Sequence, residues 1–157
     1  MNNYAFIDAQ NLYMAISGLG WKVDYIRFRI YLHEHYHVEK AYMFMGYKST
    51  EQRMYDFLQK AEYIIVFKPL VEVDSKVKGN CDGEMILQAM IDFPHYDKAL
   101  LVTGDGDFYC LIKYLKENGK LLTVLAPSHQ NCSSLVRKLL KRELVFVCAL
   151  RNKIEYK

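Results

Sequence analysis

Short apolar runs alternate with longer segments of mixed polarity along this chain of 157 residues. Each apolar run has the length of a buried strand and is bounded by polar or turn-forming residues. The longer segments place apolar residues at helical spacing, which predicts amphipathic helices between the strands. The predicted strands are NYAFID (3–8), KAYMFMGY (40–47), IIVFKPL (64–70), KALLVTG (98–104), KLLTVLA (120–126) and LVFVCAL (144–150).

Several of the predicted helices carry sequence signals at their ends. Asp24 is a predicted N-cap, and Ser49 with Gln52 three residues later forms the pattern of a capping box. Gly119 is the predicted C-terminal stop of another helix. The predicted helices are 11–16, 24–37 (apolar at Ile26, Ile30 and Leu32), 49–63, 82–93, 107–119 and 133–143.

Nearly apolar strands joined by amphipathic helices are typical of a mostly parallel sheet with helices on both faces. We therefore predict a three-layer α/β/α fold. No repeat, low-complexity segment or linker rich in Pro and Gly interrupts the pattern, so we expect a single domain over residues 1–157. In such sheets the functional crevice lies at the carboxyl ends of the strands, where residues that follow different strands converge.

Acidic residues occupy several of the positions that are expected to converge at that edge. Asp8 closes the first strand, Asp105 and Asp107 follow the strand at 98–104, and Asp82 and Glu84 begin the preceding helix. Carboxylates gathered in this way cannot all stay ionised without a cation, and oxygen ligands suit Mg²⁺ or Mn²⁺. Helix capping or a first-turn position is an alternative explanation for each of them except Asp8. Taken together, they favour a metal site.

Other polar residues near the same edge are candidates for secondary roles. Asn11 lies one helical turn beyond the first strand and is placed to orient water or an aspartate. Thr103 and Lys78 are candidates for contacts with phosphate oxygens, although a strand threonine and a loop lysine are common without any function. Gly104 and Gly106 permit close backbone approach.

The charge of the chain is nearly balanced, with 21 basic and 18 acidic residues and a net charge of +3. That excess is too small to indicate nucleic-acid binding by itself. Arg137, Lys138, Lys141 and Arg142 are concentrated on the last predicted helix, where they would follow a phosphate backbone if the helix faces the acidic edge. A solvated helix face is the alternative.

The composition favours a cytoplasmic protein without a membrane partner. No apolar run approaches the ~20 residues of a membrane span, and the N-terminus lacks the pattern of a signal peptide. Cys81, Cys110, Cys132 and Cys148 show no zinc-like spacing, so we expect reduced thiols.

Three segments of the chain resemble the NYN domain, the LabA-like branch of the PIN-like nucleases. They are FIDAQNL, KGNCDGEMILQAMID and LLVTGDGDFYCLIKYLKENGK. They match the usual pattern of a D-x-x-N strand end, a K-G-x-x-D helix start and an S/T-G-D-x-D-F turn, in that order. The resemblance extends from Phe6 to about Leu144 and implies a PIN-like fold with metal-dependent RNA cleavage.

The resemblance also assigns expected roles to individual residues. One position departs from the pattern: many members carry another aspartate where this chain has Gln88, and Asp92 lies a turn further, so the number of metal ions stays open. The matching positions are the metal-binding aspartates Asp8, Asp82, Asp105 and Asp107, the asparagine Asn11, the lysine Lys78 and the Ser/Thr position Thr103.

The sequence thus predicts a Mg²⁺- or Mn²⁺-dependent ribonuclease that acts on single-stranded RNA. The alternative is a catalytically inactive PIN-like module that binds RNA or a protein. Because PIN-like domains often pair, the resemblance also implies a homodimer.

Overall fold

The computed structural model describes residues 1–69, 71–73, 76–78 and 81–157, and for 71–73 and 76–78 it describes the backbone. The strands are β1 (Asn3–Asp8), β2 (Val38–Tyr47), β3 (Tyr63–Pro69), β4 (Val71–Val73), β5 (Lys76–Lys78), β6 (Ala99–Val102), β7 (Leu121–Ala126) and β8 (Leu144–Phe146). The helices are α1 (Ala9–Gly18), α2 (Tyr25–Tyr36), α3 (Gln52–Lys60), α4 (Asp82–Ile91), α5 (Tyr109–Glu117), α6 (Ser134–Leu139) and α7 (Arg151–Ile154).

Six of the strands form one parallel sheet in the order β3-β2-β1-β6-β7-β8. Strand β1 is central: Asp8 pairs with Phe44 of β2 on one side, and Ile7 pairs with Val102 of β6 on the other. The chain leaves β1 toward β2 and returns on the opposite side at β6, so the strand order reverses between β1 and β6. Ligand sites of open α/β sheets lie at this reversal, outside the carboxyl ends of the strands. Strands β4 and β5 form a separate antiparallel pair.

Apolar side chains alternate between the two faces of the sheet, and each face has its own helical layer. Ala5 and Ile7 belong to the core under α1, α2, α3 and α7, whereas Tyr4 and Phe6 belong to the core under α4, α5 and α6. The prediction of an α/β fold with a mostly parallel sheet between two helical layers is confirmed. The buried helical residues are Leu12, Ile16, Phe28, Leu32, Tyr55, Leu58 and Ile154 on the first face, and Met85, Ala89, Ile112, Leu115 and Val136 on the second.

Helix α2 buries a different face from the one its apolar residues predict. Asp24 caps it as expected, accepting hydrogen bonds from the backbone N–H groups of the next turn. Ile26 and Ile30, however, are 47% and 50% exposed, while Phe28 is fully buried and Arg29 is 7% exposed. The guanidinium of Arg29 donates to the carbonyl oxygens of Glu62, Val38 and Glu39 at 3.1, 3.1 and 2.9 Å, which makes its burial tolerable.

The predicted capping box before α3 does not form. Ser49 lies in a 3₁₀ turn (Ser49–Glu51) without a side-chain cap, and α3 begins at Gln52. The amide of Gln52 donates instead to the carboxylate of Asp56 at 2.8 Å. The C-terminal stop predicted at Gly119 is confirmed, because this glycine has a φ of +68° directly after the turn that closes α5.

Two predicted elements near the C-terminus are shorter than expected. Helix α6 ends at Leu139, four residues before the predicted end, because Leu140 is extended and buried and the Leu139 carbonyl accepts a 2.8 Å hydrogen bond from Lys116 Nζ. Strand β8 ends at Phe146, where the chain turns into a 3₁₀ segment (Val147–Leu150) that packs against the core. Neither α7 nor the β4–β5 pair is predicted from the sequence pattern.

No helix in the described part of the chain is both long enough and apolar enough to cross a bilayer. The thiols of Cys110, Cys132 and Cys148 form no disulfide in the described part of the chain.

Candidate metal centre

Three carboxylates from distant parts of the chain meet at the point where the strand order reverses. One oxygen each of Asp8, Asp82 and Asp105 lies within 4.8 Å of the others, and all three residues are half-buried. Asp8 ends β1, Asp105 follows β6, and Asp82 is the first residue of α4. The fold therefore delivers each carboxylate to the same edge from a different element, which is the convergence that the sequence predicts.

Asp8 is held by two hydrogen bonds from neighbouring groups. The Asn11 backbone N–H donates to Oδ1 at 3.2 Å, so Asp8 is also the N-cap of α1, a role that the sequence pattern did not assign to it. The Thr103 hydroxyl donates to Oδ2 at 3.2 Å. Burial is the largest effect on Asp8 and raises its pKa from 3.8 to about 6. The hydrogen bonds from Asn11 and Thr103 lower the pKa, and the negative charges of Asp82 and Asp105 raise it.

Thr103 connects the two strand-end aspartates. Its side chain is buried, and its hydroxyl donates to Asp8 while accepting the Asp105 backbone N–H at 3.1 Å. The single hydroxyl proton is thus used within the protein. Thr103 therefore fixes the relative position of the carboxylates, whereas the sequence made it a candidate for a phosphate contact.

Asn11 connects α1 to the backbone that follows β6. Its side-chain oxygen accepts the Gly104 backbone N–H at 3.0 Å, and its own backbone N–H binds Asp8. The residue therefore contacts both strand ends of the centre, and its amide positions the turn that carries Asp105.

Asp107 does not join the other three carboxylates. It is exposed, and its backbone N–H donates to Asp105 Oδ1 at 2.9 Å, which makes Asp105 the N-cap of a 3₁₀ turn (Gly106–Phe108). Within the described residues the group that could hold an ion is thus Asp8, Asp82 and Asp105. Asp105 thus caps this turn, as the capping alternative predicts, while its carboxylate lies within 4.8 Å of those of Asp8 and Asp82.

The turn at 104–106 is packed tightly against the loop that follows β7. A Cβ atom on Gly104 would lie 1.7 Å from the Asn131 carbonyl oxygen, and one on Gly106 would lie 2.7 Å from Ser133 Oγ. The Ser133 backbone N–H also donates to the Gly104 carbonyl at 2.8 Å. Only glycine permits this approach, so both glycines are explained by packing.

The first turn of α4 adds a half-buried thiol and a second acidic side chain to the surroundings. Burial, followed by the negative charge of Glu84, raises the pKa of Cys81 to about 11, while the positive charge of Lys68 opposes the shift. A buried oxygen of Glu84, Oε2, has no hydrogen-bond partner in the described structure. Lys68, which the sequence pattern does not single out, lies at the end of β3 and therefore at the same edge.

Two other positions belong to the segment with the K-G-x-x-D pattern, Gln88 and Lys78. The first lies further along α4, and the side chain of the second is outside the described structure. Gln88 donates to Asp92 Oδ2 at 2.9 Å, two turns into α4, so the two residues form a pair of their own.

The four basic residues of the predicted last helix are divided between two places. Arg137 and Lys138 lie on α6, and Arg137 Nη1 donates to the carbonyl oxygens of His129, at 3.1 Å, and Cys132. Lys141 and Arg142 lie in the turn that leads into the amino end of β8, whose first residue, Leu144, pairs with Val124 of β7. The structure does not bring that second pair to the edge that carries the aspartates.

The donor set is suited to a hard divalent cation. Three carboxylates whose oxygens lie within 4.8 Å of one another, one of them with a pKa raised by burial, form a centre rich in oxygen ligands and negative charge. Mg²⁺ and Mn²⁺ bind through such oxygen ligands and keep part of their water. The residues present therefore could hold a divalent ion.

Comparisons with known proteins agree with this arrangement. The NYN domain profile matches residues 4–143 of the chain. The low amplitude and bright protein LabA of Synechococcus elongatus is 30% identical over 132 residues, covering 77% of this chain and 71% of LabA. A crystal structure of a Vibrio parahaemolyticus protein of unknown function has a TM-score of 0.83 at 21% identity, covering 99% of this chain and 96% of that one. At that identity the second comparison shows the fold alone.

Proposed function

This chain belongs to the NYN domain family, and on that premise we propose that it is a metal-dependent ribonuclease whose centre is Asp8, Asp82 and Asp105. The family consists generally of nucleases. The observation that carries the proposal is the meeting of three carboxylates, each from a different element, within 4.8 Å at the reversal of strand order. Carboxylates this close repel each other in the metal-free protein, and a bound cation would offset that repulsion.

Asp8, Asp82 and Asp105 would hold a Mg²⁺ or Mn²⁺ ion through their oxygens. When bound, the ion supplies positive charge that neutralises the scissile phosphate and lowers the pKa of water. In the reaction that this supports, a water oxygen bonds to phosphorus while the bond to the 3′ oxygen breaks, and that oxygen takes up a proton. The expected products carry a 5′-phosphate and a 3′-hydroxyl.

The surrounding residues prepare the centre. Thr103 and the Asn11 backbone N–H restrain the two oxygens of Asp8, and the Asn11 side chain restrains the backbone before Asp105. Such restraint limits the reorganisation needed when an ion binds. Asp107, exposed beside Asp105, is available to orient water at the rim.

For substrate binding, exposed Lys138 is the basic residue of α6 that we assign to the RNA backbone, and Lys68 lies beside the centre on the β3 side. Single-stranded RNA is the expected substrate, because its bases and backbone can enter a crevice at a sheet edge without the melting of a duplex. Lys78 is proposed to contact phosphate from the segment between β3 and α4.

The test is Mn²⁺ binding by calorimetry together with cleavage of a labelled single-stranded RNA. We expect binding and cleavage in the wild type and loss of both in Asp105→Asn. Asp56→Asn is the matched control, because it makes the same chemical change at an exposed position on α3. That control is expected to match the wild type in both measurements.

Two outcomes contradict the proposal. Cleavage by Asp105→Asn at the wild-type rate would remove the acidic centre from the reaction. RNA binding by the wild type without any Mn²⁺ binding would instead favour the non-catalytic binding module.

A further inference from the structure

We propose that Arg137 is a positioning residue for the metal centre, which it serves by clamping loop 127–133 against the glycine turn 104–106. Its significance for catalysis rests on the proposed function, but the clamp itself is independent of it. The sequence made Arg137 a candidate for a phosphate contact, together with three other basic residues. The contacts of its side chain support a different role.

Loop 127–133 contacts the backbone that carries Asp105 at two consecutive places. The Asn131 carbonyl lies against Gly104, in the space that a Cβ atom would fill, and Ser133 lies against Gly106 in the same way. A backbone hydrogen bond from Ser133 N–H to the Gly104 carbonyl, at 2.8 Å, joins the two segments. The loop is thus one wall of the turn, and a displacement of either would move the other.

Arg137 is the cation that holds this loop together. Its Nη1 donates to the carbonyl oxygens of His129 and Cys132, which lie three residues apart in the loop. Its backbone N–H donates to the Ser133 carbonyl at 3.0 Å, so the residue contacts the loop through both its side chain and its main chain. Charge-assisted hydrogen bonds of this type are stronger and shorter than neutral ones.

The first half of the loop has contacts of its own, and Arg137 joins its middle to its second half. The Cys148 backbone N–H donates to the Pro127 carbonyl at 3.0 Å, and the Ser128 hydroxyl accepts the side-chain amide of Asn131 at 2.9 Å. Without the guanidinium, the carbonyls of His129 and Cys132 would lose the donor that they share. We infer that the loop would then lose its contact with the glycine turn.

A displacement of the glycine turn would change the positions of the aspartates, because short covalent and hydrogen-bonded connections join them to the turn. Gly104 donates to the Asn11 side chain, and Asp105 donates to the Thr103 hydroxyl that restrains Asp8. A shift of the turn therefore changes the spacing of two of the three carboxylates. Groups that orient metal ligands in this indirect way typically change metal affinity by about 10- to 100-fold when they are removed.

The test uses Arg137→Met, which keeps most of the side-chain length and removes the donors. We expect Mn²⁺ affinity, measured by calorimetry without RNA, to fall by about 10-fold. We also expect faster amide hydrogen exchange at Ser133, Asp105 and Asp107 in the metal-free protein, because the hydrogen bonds of these amides depend on the clamped turn.

Two control variants separate positioning from charge and from general destabilisation. Lys113→Met removes an exposed positive charge on the neighbouring helix α5 and is expected to leave Mn²⁺ affinity and the three exchange rates unchanged. Thr123→Val removes a buried 2.8 Å hydrogen bond to the Glu143 carbonyl at the amino end of the sheet. It is expected to lower the melting temperature without changing Mn²⁺ affinity.

Two sets of results would contradict the proposed role of Arg137. If Arg137→Met binds Mn²⁺ as the wild type does but weakens RNA binding in EDTA and reduces its salt dependence, Arg137 contacts phosphate and the inference is wrong. If the wild type binds no Mn²⁺, the proposed function fails, and the exchange rates then decide the clamp. Unchanged rates at Asp105 and Asp107 would refute it, and faster rates would support it.

Discussion

At the amino end of the parallel sheet the buried guanidinium of Arg29 donates to three carbonyl oxygens, whereas at the carboxyl end the half-buried Asp8 carboxylate lies beside two other carboxylates. Asn3, also at the amino end, is 1% exposed and both donates to the Tyr36 carbonyl and accepts from the Lys98 N–H. Buried polar groups at that end are therefore matched by groups of opposite character.

The carboxyl end of the sheet differs because it brings together groups of the same negative charge. Its hydrogen bonds orient the carboxylates but leave their negative charges next to each other, and burial raises the pKa of Asp8. A buried polar group that meets groups of opposite character stabilises the fold, while carboxylates placed side by side repel each other and are common where a cation binds. The comparison thus separates the amino end of the sheet, where polar groups offset each other, from the carboxyl end, where the carboxylates of the proposed metal centre are gathered.

The largest effect is expected when one negative charge is removed from the carboxyl end. Asp8→Asn keeps the shape of the side chain and removes one of three charges from the centre. RNA cleavage is expected to fall by about 10³-fold or more, since an ion held by two carboxylates loses affinity and electrostatic effect. The melting temperature of the metal-free protein is expected to stay equal or rise. A clear fall in melting temperature together with retained cleavage would invert the comparison.

A smaller but still large effect is expected from filling the space beside the centre. In Gly104→Ala the new Cβ would lie 1.7 Å from a carbonyl oxygen of the backbone, which cannot yield cheaply. We expect a loss of about 3 kcal/mol in the free energy of unfolding, measured with urea, because the loop must move. Gly18→Ala is the control: no atom lies within 4 Å of its Cβ, and helix propensity predicts a small gain in stability.

At the matched end, substitution is expected to affect stability without affecting metal binding. Arg29→Met removes the donors of three buried or half-buried carbonyls, which costs about 2–3 kcal/mol. Urea denaturation measures this loss, and calorimetry is expected to show unchanged Mn²⁺ affinity for the folded variant. Weaker Mn²⁺ binding by a fully folded Arg29→Met protein would show that the two ends of the sheet are coupled.

The sequence predicts the architecture well because the information is local and periodic. Apolar strands and amphipathic helices define the layers, and the rule that parallel strands end at one edge is enough to place Asp8 and Asp105 side by side. Asp82 follows from the same reasoning, since α4 begins at that edge. These predictions depend on topology, which a pattern of element types largely determines.

The positions that the sequence does not predict depend on tertiary contacts. Arg29 is buried in place of Ile26 and Ile30 because it donates to carbonyls of β2 and of the residue before β3. The spacing of apolar residues along α2 contains no information about those carbonyls. The early end of α6 likewise depends on Lys116 from α5. Because α6 ends early, the four basic residues are divided between the helix and the turn that follows it. That turn places Lys141 and Arg142 before the amino end of β8.

The smallest expected effect is the dependence of stability on pH, which reports the titration of Asp8 directly. Asp8 has a pKa of about 6 in the folded metal-free protein and 3.8 as an unperturbed group, so the folded state binds the proton more tightly. This group therefore destabilises the fold fully above about pH 6, and the destabilisation is relieved as the pH falls from 6 toward 4.

The shift corresponds to at most about 3 kcal/mol, and partial exposure of the centre to solvent leaves an expected change of about 1–2 kcal/mol. Urea denaturation of the wild type and Asp8→Asn without metal, between pH 4.5 and 7.5, measures it as the difference between the two proteins. We expect Asp8→Asn to be the more stable protein at pH 7.5 and its advantage to shrink at pH 4.5. A difference that stays constant with pH would mean that the Asp8 carboxylate is already compensated in the folded protein, and the contrast between the two ends of the sheet would then rest on geometry alone.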